Sequence, residues 1–210
     1  FHSSLGDRVA RVCDRLPMLK AMICVDDGPA EDGSMEHITS IPYDTFLAQA
    51  SGTAKTQPQG DEIYILYTGG TTGMPKGVMY PLDGFTEFFM RGFPPMVGLP
   101  PFEDAAQFGP AARQMVDANA TVVAMSGPPL MHGTGCWLGL MFPHMLGGTS
   151  VLLENRGFKP EEVWSTVERN RVSQIIIVGD AFAKPLLRML ETEPDRWDTS
   201  SLKLMISSGA

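Results

Sequence analysis

The chain has 210 residues, 43% of them hydrophobic and 19% charged, with a formal net charge of −8. That composition excludes a disordered chain and supplies enough apolar mass for one sizeable core. The acidic balance, with no Lys/Arg run, argues against a nucleic-acid partner, because a phosphate backbone needs a clustered basic face. Three cysteines, Cys13, Cys24 and Cys136, are odd in number and lack metal-pair spacing, so they read as reduced thiols of a cytoplasmic protein. The first residues carry no basic start followed by an apolar run, so they show no signal peptide. The longest apolar stretch, 137–146, is too short to span a bilayer and contains Pro143 and His144. The sequence starts without Met and stops in an apolar run at Ala210, and both ends read as cut from a longer polypeptide.

In chain order, Val9, Val12 and Leu16 sit at helical spacing, and residues 21–25 form a short apolar run stopped by Asp26-Asp27-Gly28. Residues 26–40 read as a loop, and 51–60 have linker composition. These features set a boundary between a lead-in segment, 1–60, and the portion 61–210. Residues 63–67 predict a strand running into a glycine-rich loop. Residues 91–120, broken by Pro94-Pro95 and Pro100-Pro101, read as an excursion beside the site with a short helix over 111–118. Residues 121–125, 149–153, 174–178 and 202–206 predict four further strands. A helix opens at Pro160-Glu161-Glu162, with proline at the first helical position and acids at the positive helix end. Its Val163 and Val167 share a face. Another helix opens near Asp180, read as its cap, and carries Leu186, Met189 and Leu190; Pro185 sits deep for that start. Strands alternating with helices predict an α/β fold whose βαβ layers build a parallel sheet.

The chemistry is concentrated in one loop. Tyr67-Thr68-Gly69-Gly70-Thr71-Thr72-Gly73-Met74-Pro75-Lys76-Gly77-Val78 holds four glycines, three threonines and one lysine after Tyr67. Glycines allow close backbone approach, consecutive N–H groups form a nest for anionic oxygen, and Lys76 adds positive charge. This is not a Walker A loop, since no Ser or Thr follows the lysine. The bland alternative is a flexible Gly/Thr hairpin turn.

The string resembles the signature phosphate loop of the ANL superfamily of adenylate-forming enzymes, which includes acyl-CoA synthetases, luciferases and peptide-synthetase adenylation domains. Every position of Tyr-Ser/Thr-x-Gly-Thr/Ser-Thr-Gly-x-Pro-Lys-Gly-Val is met. Pro128-Pro129-Leu130-Met131-His132-Gly133 is similar to the Pro-Leu-Phe-His segment of that family. Ile206-Ser207-Ser208-Gly209-Ala210 is similar to its Ser-Gly-Gly-Ala segment, with Ser208 in place of one glycine. Val178-Gly179-Asp180 resembles a variant found in fatty acyl-CoA synthetases, the branch this chain is most like. The resemblance implies part of an N-terminal adenylation domain, with 61–210 its ATP- and acyl-binding portion. It implies activation of a carboxylic acid to acyl-AMP with pyrophosphate release, then transfer to coenzyme A, with ATP and Mg2+ required. By the same likeness, Thr68, Gly69, Gly70, Thr71, Thr72, Gly73 and Lys76 hold the phosphates, and Thr68 contacts magnesium. Lys76 and His132 are the catalytic candidates; His132, Gly133 and Trp137 face the acyl group, and Gly209 and Ala210 lie beside adenine.

Three family elements are missing from the sequence: a Tyr-Gly-x-Thr-Glu segment, a ribose-binding aspartate and a lysine on a mobile C-terminal domain. All would follow Ala210, so these residues alone are expected not to complete adenylation. Alternatives stay open. His132 also reads as a satisfied interior histidine or as a helix-entry residue. The helix after it, 135–146, with Trp137, Leu138, Leu140, Met141 and Phe142, also reads as plain core. The alternatives to a fatty acid ligase are an aryl or other acid–CoA ligase, or a nucleotide-binding module without catalysis.

Overall fold

The computed structural model describes residues 1–26, 40–52, 59–69, 73–155 and 157–208. The loop expected over 26–40 and the linker expected over 51–60 therefore fall mostly outside the described residues. The chain divides into two compact units, Phe1–Gln57 and Pro58–Ala210.

In the first unit, helix α1 (Gly6–Cys13) is followed by strand β1 (Ile23–Cys24), which pairs in parallel with β2 (Ile41–Pro42); helix α2 (Tyr43–Gln49) follows directly. The predicted strand over 21–25 shrinks to two residues, extended by a bridge from Val25 to His2.

The second unit opens with β3 (Ile63–Thr68) and β4 (Lys76–Pro81), an antiparallel hairpin in register from Ile63 opposite Pro81 to Thr68 opposite Lys76. Period-two alternation sends Tyr64 and Tyr80 inward and leaves Ile65 and Tyr67 exposed. Helix α3 (Leu82–Gly92) buries Phe85 and Phe89, one helical turn apart. The proline pairs then work as predicted breakers: a 3-10 turn, Pro94–Val97, ends at Gly98, and helix α4 (Phe108–Asp117) starts later.

A four-stranded, wholly parallel sheet follows, with β5 (Val123–Ser126), β6 (Thr149–Val151), β7 (Gln174–Ile177) and β8 (Leu204–Ser207) in the order β6-β5-β7-β8. All residues of β7 are buried, as a parallel strand covered on both faces requires. Alternation divides the strands between two cores. Ala124 and Ile176 meet Phe89, Phe93 and Phe142 on one face. Met125, Ile175 and Ile177 meet α7 (Pro160–Asn170) and α8 (Asp180–Thr192) on the other, through Val163, Trp164, Val167 and Leu186.

Helix α7 starts at Pro160 as expected. Helix α8 corrects the predicted cap: Gly179 is the N-cap, and Asp180 is the first helical residue, paired with Lys184. Pro185 lies inside the helix, and the carbonyl it leaves without a donor belongs to Ala181, which is exposed and can be hydrated. Among the described residues no helix is long and apolar enough to cross a membrane.

One carboxylate holds the segment after β6. Glu162, in the first turn of α7, accepts hydrogen bonds from the N–H groups of Glu154 and Asn155 at 2.7 and 3.1 Å. Burial raises its pKa, but the donors on Asn155 and Glu154 together with Lys159 outweigh this and hold the carboxyl below its ordinary 4.5. A depressed folded-state pKa contributes stability that is complete above the ordinary value and is lost as pH falls through the folded one. Glu162→Gln is therefore expected to lower the urea midpoint at neutral pH and to leave it unchanged once Glu162 is protonated; an equal loss at both pH values would contradict this clamp.

Candidate active site

The phosphate-loop candidates sit on the hairpin tip. Thr68 ends β3, and its hydroxyl donates to the Lys76 carbonyl at 3.4 Å, tying the mouth of the loop. The hydroxyl oxygen keeps lone pairs for a cation or a donor. Gly73 has φ +137°, a conformation L side chains rarely adopt. Lys76 opens β4, is exposed, and makes no ion pair among the described residues. Gly69 follows β3 directly. Gly70, Thr71, Thr72, Gly209 and Ala210 lie outside the described residues.

His132 is the N-cap of the short helix α5 (Gly133–Cys136), and the Thr134 N–H donates to its Nδ1 at 3.2 Å. An accepting Nδ1 places the ring proton of the neutral imidazole on Nε2, the outward donor of an exposed side chain. The histidine is therefore exposed and caps a helix, so the interior reading fails and the helix-entry reading holds.

Close packing fixes this turn. A Cβ at Gly133 would lie 2.8 Å from Leu66 Cδ2 and 3.3 Å from Trp137 Cζ2. Leu66 is on β3, two positions before Thr68, so the histidine turn lies directly against the strand that feeds the glycine-rich loop. A Cβ at Gly135 would lie 2.7 and 2.8 Å from the Pro129 and Pro128 carbonyl oxygens. Those carbonyls are held in turn, since the buried Ser126 hydroxyl donates to the Pro128 oxygen at 2.6 Å.

The helical run continues through a π turn (Trp137–Met141), closed by the Phe142 N–H on the Trp137 carbonyl, and α6 (Phe142–Met145). The widening falls immediately ahead of Pro143, which has no N–H to give the preceding turn. The start predicted at 135 moves to Gly133. Trp137 is half-buried: its Nε1 donates to the Tyr64 hydroxyl at 3.3 Å, and its ring meets Tyr80 and Phe85 edge-on at 5.6 and 5.4 Å. An aromatic wall therefore runs from the inner face of the hairpin to the turn after His132. Burial pushes the Cys136 thiol up, which lowers its thiolate fraction.

At the neighbouring strand ends the Gly179 N–H donates to Ser207 Oγ at 3.0 Å, and the Ser208 N–H to the Ile177 carbonyl at 3.2 Å. The segments beginning Val178-Gly179 and Ile206-Ser207 thus meet at the carboxyl end of the sheet, with Ser126 on the adjacent strand. Ligands of open α/β sheets bind outside these carboxyl ends.

Sequence reasoning missed Leu66, Tyr64 and Ser126 as the residues that hold the site together. The alternation through 63–67 and 78–80 carried a signal for Tyr64 and Tyr80 as inward partners. Nothing local marks Ser126.

The sequence matches the AMP-binding enzyme family over residues 3–210. It is 35% identical over 212 residues to a medium/long-chain-fatty-acid–CoA/3-oxocholest-4-en-26-oate–CoA ligase of Mycolicibacterium smegmatis, covering 98% of this chain and 36% of that one. It is 34% identical over 210 residues to a 3-oxocholest-4-en-26-oate–CoA ligase of Rhodococcus rhodochrous, again covering 98% of this chain and 36% of the relative. The chain thus spans about a third of the length of these curated relatives. Its fold is like that of an anthranilate CoA ligase crystallised with anthranoyl-AMP, at a TM-score of 0.60 and 19% identity, over 100% of this chain and 35% of the other.

Proposed function

We propose that this chain, which belongs to the AMP-binding enzyme family, supplies the phosphate- and acyl-binding portion of an ATP-dependent acid–thiol ligase. The observation that carries this reading is the contact of Gly133 with Leu66, which sets the exposed His132 beside the strand leading into the glycine-rich loop. In this reading residues 1–60 are a lead-in segment, and 61–210 form the working portion.

The acid's carboxylate oxygen attacks the α-phosphorus of ATP, the bond to the bridging oxygen breaks, and pyrophosphate leaves. A thiol, that of coenzyme A, then attacks the acyl carbon and releases AMP. Such displacements call chiefly for positioning and charge neutralisation. Lys76 supplies charge to the β- and γ-phosphates, and the glycine-rich backbone from Gly69 to Gly73 offers N–H groups. His132 Nε2–H donates to an oxygen of the acid and orients it. The wall of Trp137, Tyr64 and Phe85 lines the path of an apolar acyl group. The Thr68 oxygen retains lone pairs, which suits it to Mg2+, an ion that neutralises phosphate charge when bound. The acid is an aliphatic one, a reading supported by the names of the relatives. The three unpaired cysteines are consistent with a cytoplasmic setting, and the net charge of −8 favours small-molecule partners over nucleic acid.

The test is acid-dependent ATP–pyrophosphate exchange by a polypeptide of the relatives' length that contains these 210 residues. The panel runs from acetate through long-chain acids to 3-oxocholest-4-en-26-oate and benzoates. Exchange with aliphatic acids, reduced by His132→Ala, is the expected result. Exchange with benzoates alone would replace the aliphatic acid by an aryl one, and no exchange with any acid would overturn the ligase reading.

A further inference from the structure

We propose that the first unit, Phe1–Gln57, docks on an anionic lipid surface through the outer face of α1. Among the described residues of this unit, Cys24 is the one buried hydrophobic side chain. The larger apolar residues turn outward instead: Leu5, Val12, Leu16 and Leu19 are exposed, and Met18 is 84% exposed. Apolar side chains gathered in this way mark an interaction surface, as scattered single ones would not.

The helical register sorts these residues. At about 100° per residue, Leu5, Val9, Val12 and Leu16 fall within an arc of about 60°. The backbone keeps winding past α1 and holds Leu16 in that stripe, since the Arg15 and Leu16 N–H groups donate to the Val12 and Cys13 carbonyls, both at 3.0 Å. Arg8, Arg11 and Arg15 run along one border of the stripe. All three are exposed, and none makes an ion pair among the described residues. The two carboxylates of the same segment, Asp7 and Asp14, fall on the far side.

The chain as a whole carries a net charge of −8, yet here it sets three unpaired arginines beside an exposed apolar stripe and turns the acids away. That arrangement is complementary to a surface anionic at its skin and apolar beneath, which is the layering of a lipid leaflet. The stripe enters the acyl boundary, and the long arginine stems reach past it to headgroup phosphates. The surface shares no residue with the hairpin loop or the His132 turn, and it does not rest on the function proposed above.

The test is co-sedimentation of a polypeptide of the relatives' length that contains these 210 residues with vesicles of phosphatidylcholine and phosphatidylglycerol in equal parts. Binding is expected, and it should be at least about tenfold weaker to phosphatidylcholine alone. Arg8→Glu combined with Arg11→Glu should weaken binding to the mixed vesicles by about tenfold or more. Arg113→Glu combined with Arg188→Glu changes the net charge equally at exposed positions outside the first unit, and should leave binding in place. Leu16→Asp should weaken binding by about tenfold as well, because the stripe then carries a charge into the acyl boundary. Leu16 is exposed, so that variant keeps its fold. No binding to the mixed vesicles, as for a stripe covered by the rest of that polypeptide, would overturn the proposal. So would equal binding to phosphatidylcholine alone, an equal loss in the Arg113 and Arg188 pair, or indifference to Leu16→Asp, which would leave only a diffuse attraction between charges.

Discussion

Gly135→Ala is expected to destabilise the chain by about 2 kcal/mol, within the range for forcing extra atoms into a packed interior. The added Cβ would lie 2.7 Å from the Pro129 carbonyl oxygen, 2.8 Å from that of Pro128 and 2.9 Å from Ser126 Oγ. Two of these are backbone atoms, so neither can swing aside, and Ser126 is buried and committed to the Pro128 oxygen. Alanine favours a helix over glycine by about 1 kcal/mol, so the steric cost must exceed that gain for the variant to lose stability. Gly133→Ala is the internal control. Its Cβ meets the end of the Leu66 side chain at 2.8 Å, which can rotate away, so its cost should be less than half as large. Urea denaturation of both variants decides the matter. If Gly133→Ala proves the more damaging, the Pro128-Pro129 turn is softer than its geometry implies, and His132 is held by β3 instead.

How much of this was legible in the sequence depends on how local the cause is. The four runs that became β5 to β8 were readable, because a strand buried on both faces must be a short aliphatic run, and Ile175-Ile176-Ile177 is one. Helix α7 was readable from Pro160 and the acids that follow it. Strand β4 and helix α3 were not read. Lys76 to Pro81 looks like the tail of a motif, and only its pairing with Ile63 to Thr68 makes it a strand. Phe85 and Phe89 carried the one-turn spacing of a helix, but Gly84 and Gly92 lower its propensity. The π turn depends on a donor missing at Pro143, and its width on packing against Ser126, where a Cβ at Gly139 would stand 2.7 Å from Ser126 Cβ.

The candidate site divides in the same way. Its loop was visible as composition, since glycine and threonine density with a lysine is a chemical statement. The helix-entry role of His132 was one of its readings, but the contact of Leu66 with Gly133 joins residues far apart in sequence, which no periodicity reveals. Asp180 was misread as a cap because an acid before a helical run is the usual signal. Gly179 takes the place with φ 60° and ψ −164°, a region nearly closed to other residues, while its N–H is occupied by Ser207.

Lys76→Ala is the second substitution with a large expected effect. The side chain is exposed at the start of β4 and makes no ion pair among the described residues, beside a loop whose Gly73 has φ +137°. With no ion pair to lose among the described residues, its removal should leave stability nearly unchanged and act on phosphate binding alone. A charge-assisted contact to phosphate is worth enough that its loss weakens binding by about tenfold to a hundredfold. Gly73→Ala should weaken binding as well, but through backbone strain, and should lower stability at the same time. These different signatures separate the electrostatic role from the conformational one.

The most direct measurement is equilibrium binding of ATP to a polypeptide of the relatives' length that contains these 210 residues, with Lys76→Ala beside it and the exposed Lys20→Ala as a control for lost surface charge. The account predicts saturable binding, competed by inorganic pyrophosphate, weakened at least about tenfold by Lys76→Ala and untouched by Lys20→Ala. Absence of ATP binding, or binding indifferent to Lys76→Ala, would contradict it and leave the glycine-rich segment as a hairpin turn.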